Sequence, residues 1–195
     1  MTPEIAEARR GLLTASMAAV IMGDLKTDGL AKYISKLAGE RVYGDLEEDK
    51  FKSAKMQDGN DCEPEALDWA EFHFDVPLIR QAHIVHPSIP YVAATLDALA
   101  PGFTVEAKSP LFHVWRETTK AKRVPAQYRW QCRWQLWCAQ LDDCRFVTYH
   151  RKPGGFVIPF TVTTDEIQQM AERAELVESL IRREVEDIQQ LRNAA

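Results

Sequence analysis

The chain has 195 residues, of which 46% are hydrophobic and 27% charged, the balance of a water-soluble globular protein with enough chain for one full core. No run of about 18 apolar residues occurs, which excludes a transmembrane helix, and the N-terminal MTPEIAEARRG lacks the apolar stretch of a secretory signal, so the cytoplasm is the expected location. Lys and Arg number 24 against 29 Asp and Glu, and the net charge of −5 argues at first sight against a nucleic-acid partner.

Residues 3–23 read as a helix or two short helices, with Leu12, Leu13, Ala15, Val20 and Ile21 apolar and Gly23-Asp24 as the stop. Further short helices are predicted over 28–42 and 46–57. Residues 59–75 place Ala66, Leu67, Ala70 and Phe74 on one helical face, with Pro64 confined to the first turn and Pro77 closing the segment. The chain then turns to short stretches rich in β-branched and aromatic residues, predicted as strands over 78–86, 91–99, 103–108, 145–151 and 156–162. A helix is predicted over about 124–141. It carries Trp130, Trp134 and Trp137 on one face, a spacing that suits core or subunit packing, with base stacking as the alternative. Residues 165–192 form a long amphipathic helix with a stripe of Ile167, Met170, Ala174, Val177, Ile181, Val185, Ile188 and Leu191, and Thr163 with Glu166 makes a capping box at its start. The order implies one α+β domain. Helices over 1–58 precede a core over 59–162, a small mixed β-sheet flanked by helices, and a terminal helix spans 163–195.

The four cysteines, Cys62, Cys132, Cys138 and Cys144, form no CxxC pair and read as reduced thiols. Cys132 and Cys138 point to different faces of one helix. His83 and His86, three apart in a strand, lie on opposite faces and do not suit a shared metal.

Charge is uneven. Residues 45–75 carry a net −8, whereas 108–133 hold Lys108, Arg116, Lys120, Lys122, Arg123, Arg129 and Arg133 against Glu117 alone, a net +6. The basic stretch is either a solvated face or a phosphate-contacting surface, with Arg129 and Arg133 placed to track a backbone.

Residues 94–110, ATLDALAPGFTVEAKSP, hold the cluster that suggests chemistry. Asp97 ends one predicted strand, and a turn through Pro101-Gly102 leads to a second. Period-two alternation puts Glu106 and Lys108 on one face of it, and the hairpin returns Asp97 to the same end. Two carboxylates and an ammonium then converge. Oxygen donors at strand ends suit Mg²⁺, which stabilises phosphoryl charge and acidifies bound water. A surface hairpin with a Glu–Lys pair gives the same pattern.

The surroundings of this cluster carry a resemblance. Arg9-Arg10-Gly11 with Thr14-Ala15-Ser16, Gly59 through Glu63, Asp97, Glu106-Ala107-Lys108, and Tyr128 with Gln131 occur in one order along the chain. The set resembles the phage lambda exonuclease and YqaJ-like alkaline exonuclease family, within the PD-(D/E)xK superfamily. The resemblance implies a restriction-endonuclease-like core. It also implies metal ligation by Asp97 and Glu106, with the Ala107 carbonyl as a further ligand, Lys108 as the catalytic lysine and Glu63 at a second metal position. Arg9, or Arg10 if the register slips by one, and Ser16 are implied to hold a 5′-phosphate, and Tyr128 and Gln131 to line the site from a helix. The implied activity is Mg²⁺-dependent (or Mn²⁺-dependent) 5′-to-3′ digestion of one strand of duplex DNA, with two ions per site. A homotrimeric ring and a single-strand annealing partner follow from the same likeness, as does a phage or prophage origin. The chain departs from the family in two places. The usual Pro-Asp-Gly is Leu96-Asp97-Ala98, and a second glutamine position is held by Arg133. Competing expectations are an endonuclease of the same superfamily, a RecB-like nuclease whose cysteines hold an iron–sulfur cluster, and a non-catalytic DNA-binding phage protein.

Overall fold

The computed structural model describes residues 2–44 and 54–194, with side chains in the second stretch from Cys62 onward. The expected helix over 46–57 therefore lies mostly outside the described residues, and its last four residues open the next helix.

The N-terminal segment is less helical than its composition suggests. Helix α1 (Pro3–Ala8) is capped by Thr2, then the chain forms strand β1 (Leu13–Thr14), a 3-10 turn (Ala15–Met17) and α2 (Ala18–Ile21). The break comes at Gly11, whose φ of +70° is left-handed, and a Cβ there would meet the Arg41 side chain at 2.8 Å. Its backbone is held on both sides, the N–H donating to Glu40 at 2.8 Å and the carbonyl accepting from Arg41 Nε at 2.9 Å. Both partners lie on α3 (Asp28–Tyr43), which the Thr27 hydroxyl caps.

Helix α4 (Ala54–Phe74) starts earlier than expected, so Pro64 lies in its interior and not in its first turn. The ring removes one backbone hydrogen bond, a cost of about 3 kcal/mol. Burial of Ala66, Leu67 and Ala70 just beyond it offsets that cost.

The predicted strands over 78–86 and 91–99 each break in two. The first gives β2 (Ile79–Arg80) and β3 (His83–Val85), and the second gives β4 (Val92–Thr95) and β5 (Ala98–Ala100). The halves join different sheets, so the expected single sheet is two: β1-β4-β3 and β2-β5-β6-β7-β8. The breaks face each other. Gln81, at φ +52°, donates its N–H to the Asp97 carbonyl at 3.0 Å, and Leu96 N–H reaches the Ala82 carbonyl at 2.9 Å. Asp97 thus sits where the chain crosses from one sheet to the other.

Strand β5 turns through Pro101-Gly102 into β6 (Phe103–Lys108) as an antiparallel hairpin, while β6 pairs in parallel with β7 (Cys144–His150). A parallel pair requires a crossover. It is supplied by α5 (Phe112–Ala121), which the sequence pattern missed, and α6 (Ala126–Ala139). Strand β8 (Gly154–Phe160) closes the sheet antiparallel to β7.

Helix α4 covers one face of the larger sheet through Val105, Ala107 and Val147, and α6 packs on the opposite face with Phe146 and Ile158. Trp134 and Trp137 of α6 are core residues, and Trp130 packs half-buried against the same core. Trp134 is fully buried, its indole donates to the Ala93 carbonyl at 3.2 Å, and its ring meets Trp137 at right angles. Cys132 and Cys144 share one core cluster, Cys138 belongs to another and Cys62 lies on α4, all as free thiols. They do not converge as an iron–sulfur cage requires.

Helix α7 (Thr164–Ala194) begins with the predicted capping box, Thr163 Oγ accepting from Glu166 N–H at 3.2 Å and Glu166 accepting from Thr163 N–H at 3.0 Å. Its apolar stripe packs on α3 and α6 as far as Ile181, then fades, and Leu191 faces solvent. No described helix is long and apolar enough to cross a membrane.

Where α3 meets α7, Arg41 forks onto buried Glu178 at 2.9 and 2.7 Å. Burial alone would raise the Glu178 carboxyl, but hydrogen bonds from Arg41 and Arg182 outweigh it and hold the group below its usual range. A depressed folded-state value stabilises the protein above the unfolded carboxyl pKa of about 4.3, and that contribution fades as pH falls through the lower folded value. Glu178→Gln should therefore cost about 3 kcal/mol at pH 7. The deficit should shrink below about pH 4. Urea midpoints at the two pH values measure both, and an equal deficit at each would contradict the assignment.

Candidate active site

The break between β4 and β5 and the end of β6 bring Asp97, Glu106 and Lys108 together. Asp97 Oδ2 accepts the Ala107 N–H at 2.8 Å and lies 3.9 Å from Lys108 Nζ. Glu106 is fully buried and ion-paired with Lys108. Asp97 keeps 18% and Lys108 28% of their side chains exposed, so the cluster opens to solvent at one side.

Burial, and next the Glu106 charge, push the Asp97 carboxyl well above the usual range, and Glu63 on α4 adds to the effect. Burial disfavours the Lys108 ammonium, but the Glu106 and Asp97 charges more than reverse this and hold it above an ordinary lysine. The Glu106 and Glu63 charges thus both act on Asp97 beside a single lysine.

That excess of negative charge, made by oxygen donors, fits a hard divalent cation. Among the described residues no three His, Cys, Asp or Glu side chains converge tightly enough to hold an ion alone. Asp97 and Glu106 would hold it, with a backbone carbonyl and water completing the shell. Ala107, expected to offer its carbonyl, uses its N–H to fix Asp97.

From α6, Tyr128 stacks on Phe146 and lies with its ring centroid 5.4 Å from Lys108 Nζ, so this expected residue does reach the cluster. Gln131 is half-buried and makes no hydrogen bond among the described residues. The glutamine that touches the cluster is one turn further on. Gln135 is fully buried, its amide donates to Glu106 Oε2, and its own Oε1 has no partner. The sequence signal for it was available, since Tyr128, Cys132 and Gln135 recur at helical spacing.

A second concavity of about 680 Å³ lies against α1 and α3, lined by Arg9, Arg10, Ser16, Tyr33, Lys32 and Lys36. Arg9 donates to Ser16 Oγ at 3.1 Å, while Arg10 is tied to Glu7 at 2.6 Å. Ser16 and Asp97 leave the same end of one sheet, because β1 runs parallel to β4 with Thr14 opposite Ala93. The cationic cleft and the acidic cluster therefore lie toward the same end of that sheet.

Two of the basic residues have partners within the fold. Arg133 is ion-paired with Glu166 at 2.5 Å and lies over the rings of Trp130 and Phe160, tying α6 to the start of α7. Arg129 spends its Nε on the Val124 carbonyl at 2.9 Å. Arg133 is thus neutralised by a tertiary partner, whereas Arg129 commits only its Nε.

A family model for the YqaJ-like viral recombinase domain matches residues 4–142. The chain belongs to this family. The matched span of this YqaJ-like domain includes the cationic cleft, Asp97, Glu106, Lys108 and Gln135, and ends before β7. The YqaJ-like domain has the fold of an alkaline exonuclease from Laribacter hongkongensis, at 24% identity over 99% of both chains with a TM-score of 0.88. The complex of that exonuclease with dAMP gives 24% identity, 100% of both chains and a TM-score of 0.89. A phage related exonuclease from Haemophilus somnus 129PT matches at 14% identity, over 91% of this chain and 96% of the other, with a TM-score of 0.69. The restriction-endonuclease-like α+β core is thus the shared architecture. No curated protein sequence matches the chain.

Proposed function

We propose that the chain is a Mg²⁺-dependent nuclease that digests one strand of linear double-stranded DNA from its 5′ end and leaves 3′ single-stranded tails for annealing-type recombination. The observation that carries this reading is the convergence of Asp97, Glu106 and Lys108 at one open sheet junction, in a chain of the viral recombinase family. The alkaline exonuclease of like fold supports it. Mg²⁺ when bound, with Mn²⁺ as a substitute and two ions per site, supplies charge neutralisation at the phosphoryl oxygens and a more acidic water.

The chain's own residues do the rest. Asp97, fixed by the Ala107 N–H, and Glu106, fixed by Lys108 and Gln135, present carboxylate oxygens without reorganising. Glu63 extends the acidic wall toward a second ion. Lys108 offers ammonium N–H donors to a non-bridging phosphate oxygen or to the attacking water, and Tyr128 walls its other side. Arg9 and Ser16 bind the terminal 5′-phosphate, and Lys32 and Lys36 add to the attraction. A homotrimeric ring, a single-strand annealing partner and a cytoplasmic setting complete the proposal and rest on the resemblance.

Linear and circular duplexes incubated with Mg²⁺ test the activity. Loss of only the linear form supports the reading, whereas cutting of circles points to an endonuclease and no product removes the nuclease reading. The end preference is a separate prediction. A 5′-phosphorylated duplex should be digested about tenfold or more faster than a 5′-hydroxyl one, the value of a charge-assisted hydrogen bond. Arg9→Ala should level the two rates and Arg10→Ala should not. Equal rates in the wild type would remove this role for the cleft.

A further inference from the structure

Helix α5 and the turn after it carry most of the basic stretch, with Arg116, Lys120, Lys122 and Arg123. Ser109, Pro110 and Leu111 join Lys108 to Phe112, the first residue of this helix. Phe112 therefore lies within about 14 Å of Lys108 by chain length alone. The Phe112 side chain is unusual for its size. It is 52% exposed, and Leu111 beside it is 61% exposed. The Phe112 ring is not loose. It lies nearly parallel to Trp115, at 6.0 Å and 16°, and edge-on to His150 at 5.6 Å. A fixed aromatic ring, about half of it open to solvent, thus lies within about 14 Å of Lys108.

Phe112, Arg116 and Lys120 follow one another at i, i+4 and i+8, which places them in one row along the helix surface. Arg116, Lys120, Lys122 and Arg123 are all exposed and have no ion pair among the described residues. Glu117 is the one acid of α5 and lies off that row. A ring followed by a file of unpaired cations complements a polyanion that bears flat, unstacked groups. Duplex DNA offers the charge but keeps its bases stacked inside. Single-stranded DNA offers both, and base–aromatic stacking with a cationic track is how such strands are held without sequence preference.

We infer that α5 is a single-strand platform: the unpaired strand of the substrate stacks a base on Phe112 and lays its phosphates along Arg116 and Lys120. This rests on the nuclease reading for its place in the reaction, because digestion of one strand leaves the other unpaired next to Lys108. It does not rest on that reading for the binding itself.

The experiment measures binding without cutting, in EDTA, by fluorescence anisotropy of a labelled 20-nucleotide oligo(dT) and of a blunt duplex of equal length. Phe112→Ala is expected to weaken oligo(dT) binding on the order of tenfold, with duplex affinity changed less than about twofold and Phe112→Trp restoring the loss. Arg116→Ala with Lys120→Ala should lower the salt dependence of oligo(dT) binding by roughly two ions. An oligonucleotide carrying 2-aminopurine should be quenched by the wild type and not by Phe112→Ala. Three results overturn the platform: equal losses on both DNAs, no loss on either, or a changed sedimentation mass of Phe112→Ala, which would assign the ring to a subunit contact. Failure of the wild type to digest linear duplex with Mg²⁺ would remove the nuclease reading and leave this binding result standing.

Discussion

Asp97→Ala is expected to lower the rate of linear-duplex digestion at least about a thousandfold, or about 4 kcal/mol of transition-state stabilisation. Asp97 has this weight because of its place. It occupies the crossing between the two sheets, where the Gln81 N–H holds its carbonyl and the Ala107 N–H holds its carboxylate. There its carboxylate reaches both Lys108 and the opening to solvent. The fold should survive the change, since the side chain contributes one hydrogen bond worth about 1 kcal/mol and its removal relieves a crowded set of like charges. Asp97→Asn separates the two contributions. Its amide oxygen can still accept from Ala107, but the charge is gone, so a loss as deep as that of the alanine variant assigns the effect to charge. Single-turnover digestion with a melting curve for each variant makes the measurement. Activity within about tenfold of wild type, in folded Asp97→Ala, would falsify the assignment of this cluster as the catalytic centre.

What was legible in the sequence was what local rules encode. The pair Glu106 and Lys108 follows from alternation along one strand, and the Pro101-Gly102 turn returns the chain toward Asp97. The capping box of α7 and the core face of α6 follow from helical spacing in the same way. The misses are long-range. Leu13 and Thr14 carry no strand signal of their own, and they form β1 because Val92 and Ala93 lie alongside them. The two strand breaks cannot be seen in either segment separately, because they exist to let Gln81 and Asp97 meet. Helix α5 is masked by Thr118, Thr119 and its aromatics, weak helix formers that tertiary packing overrides. Net charge misled for a related reason. A total of −5 averages an acidic segment with an exposed basic helix, and only the fold separates them. Arg133 and Glu166 show the converse, with opposite charges distant in sequence cancelling in one ion pair.

Gln135→Leu is expected to reduce kcat for duplex digestion about 10–100-fold, the usual cost of removing a group that orients a metal ligand. Gln135 is a positioning residue, because it acts through Glu106. With Lys108 on one carboxylate oxygen and the Gln135 amide on the other, Glu106 is fixed from both sides in a fully buried setting. Leucine fills similar volume without a donor, so Glu106 would lose one of its two tethers and turn toward Lys108. A purely structural role predicts a different pattern. An apolar residue removes the unpartnered Gln135 Oε1 but leaves Glu106 Oε2 without its donor, so the two effects offset and the melting temperature should change little while activity falls. The concentration of Mg²⁺ at half-maximal rate gives the decisive readout. It should rise about tenfold, with KM for DNA little changed, because Gln135 is buried behind Glu106 and not exposed to a substrate. Gln135→Glu should be worse than Gln135→Leu, since it sets a second carboxylate against Glu106 without a counter-charge. If Gln135→Leu melts early and keeps its Mg²⁺ dependence, Gln135 serves packing alone and Glu106 is held by Lys108 without it.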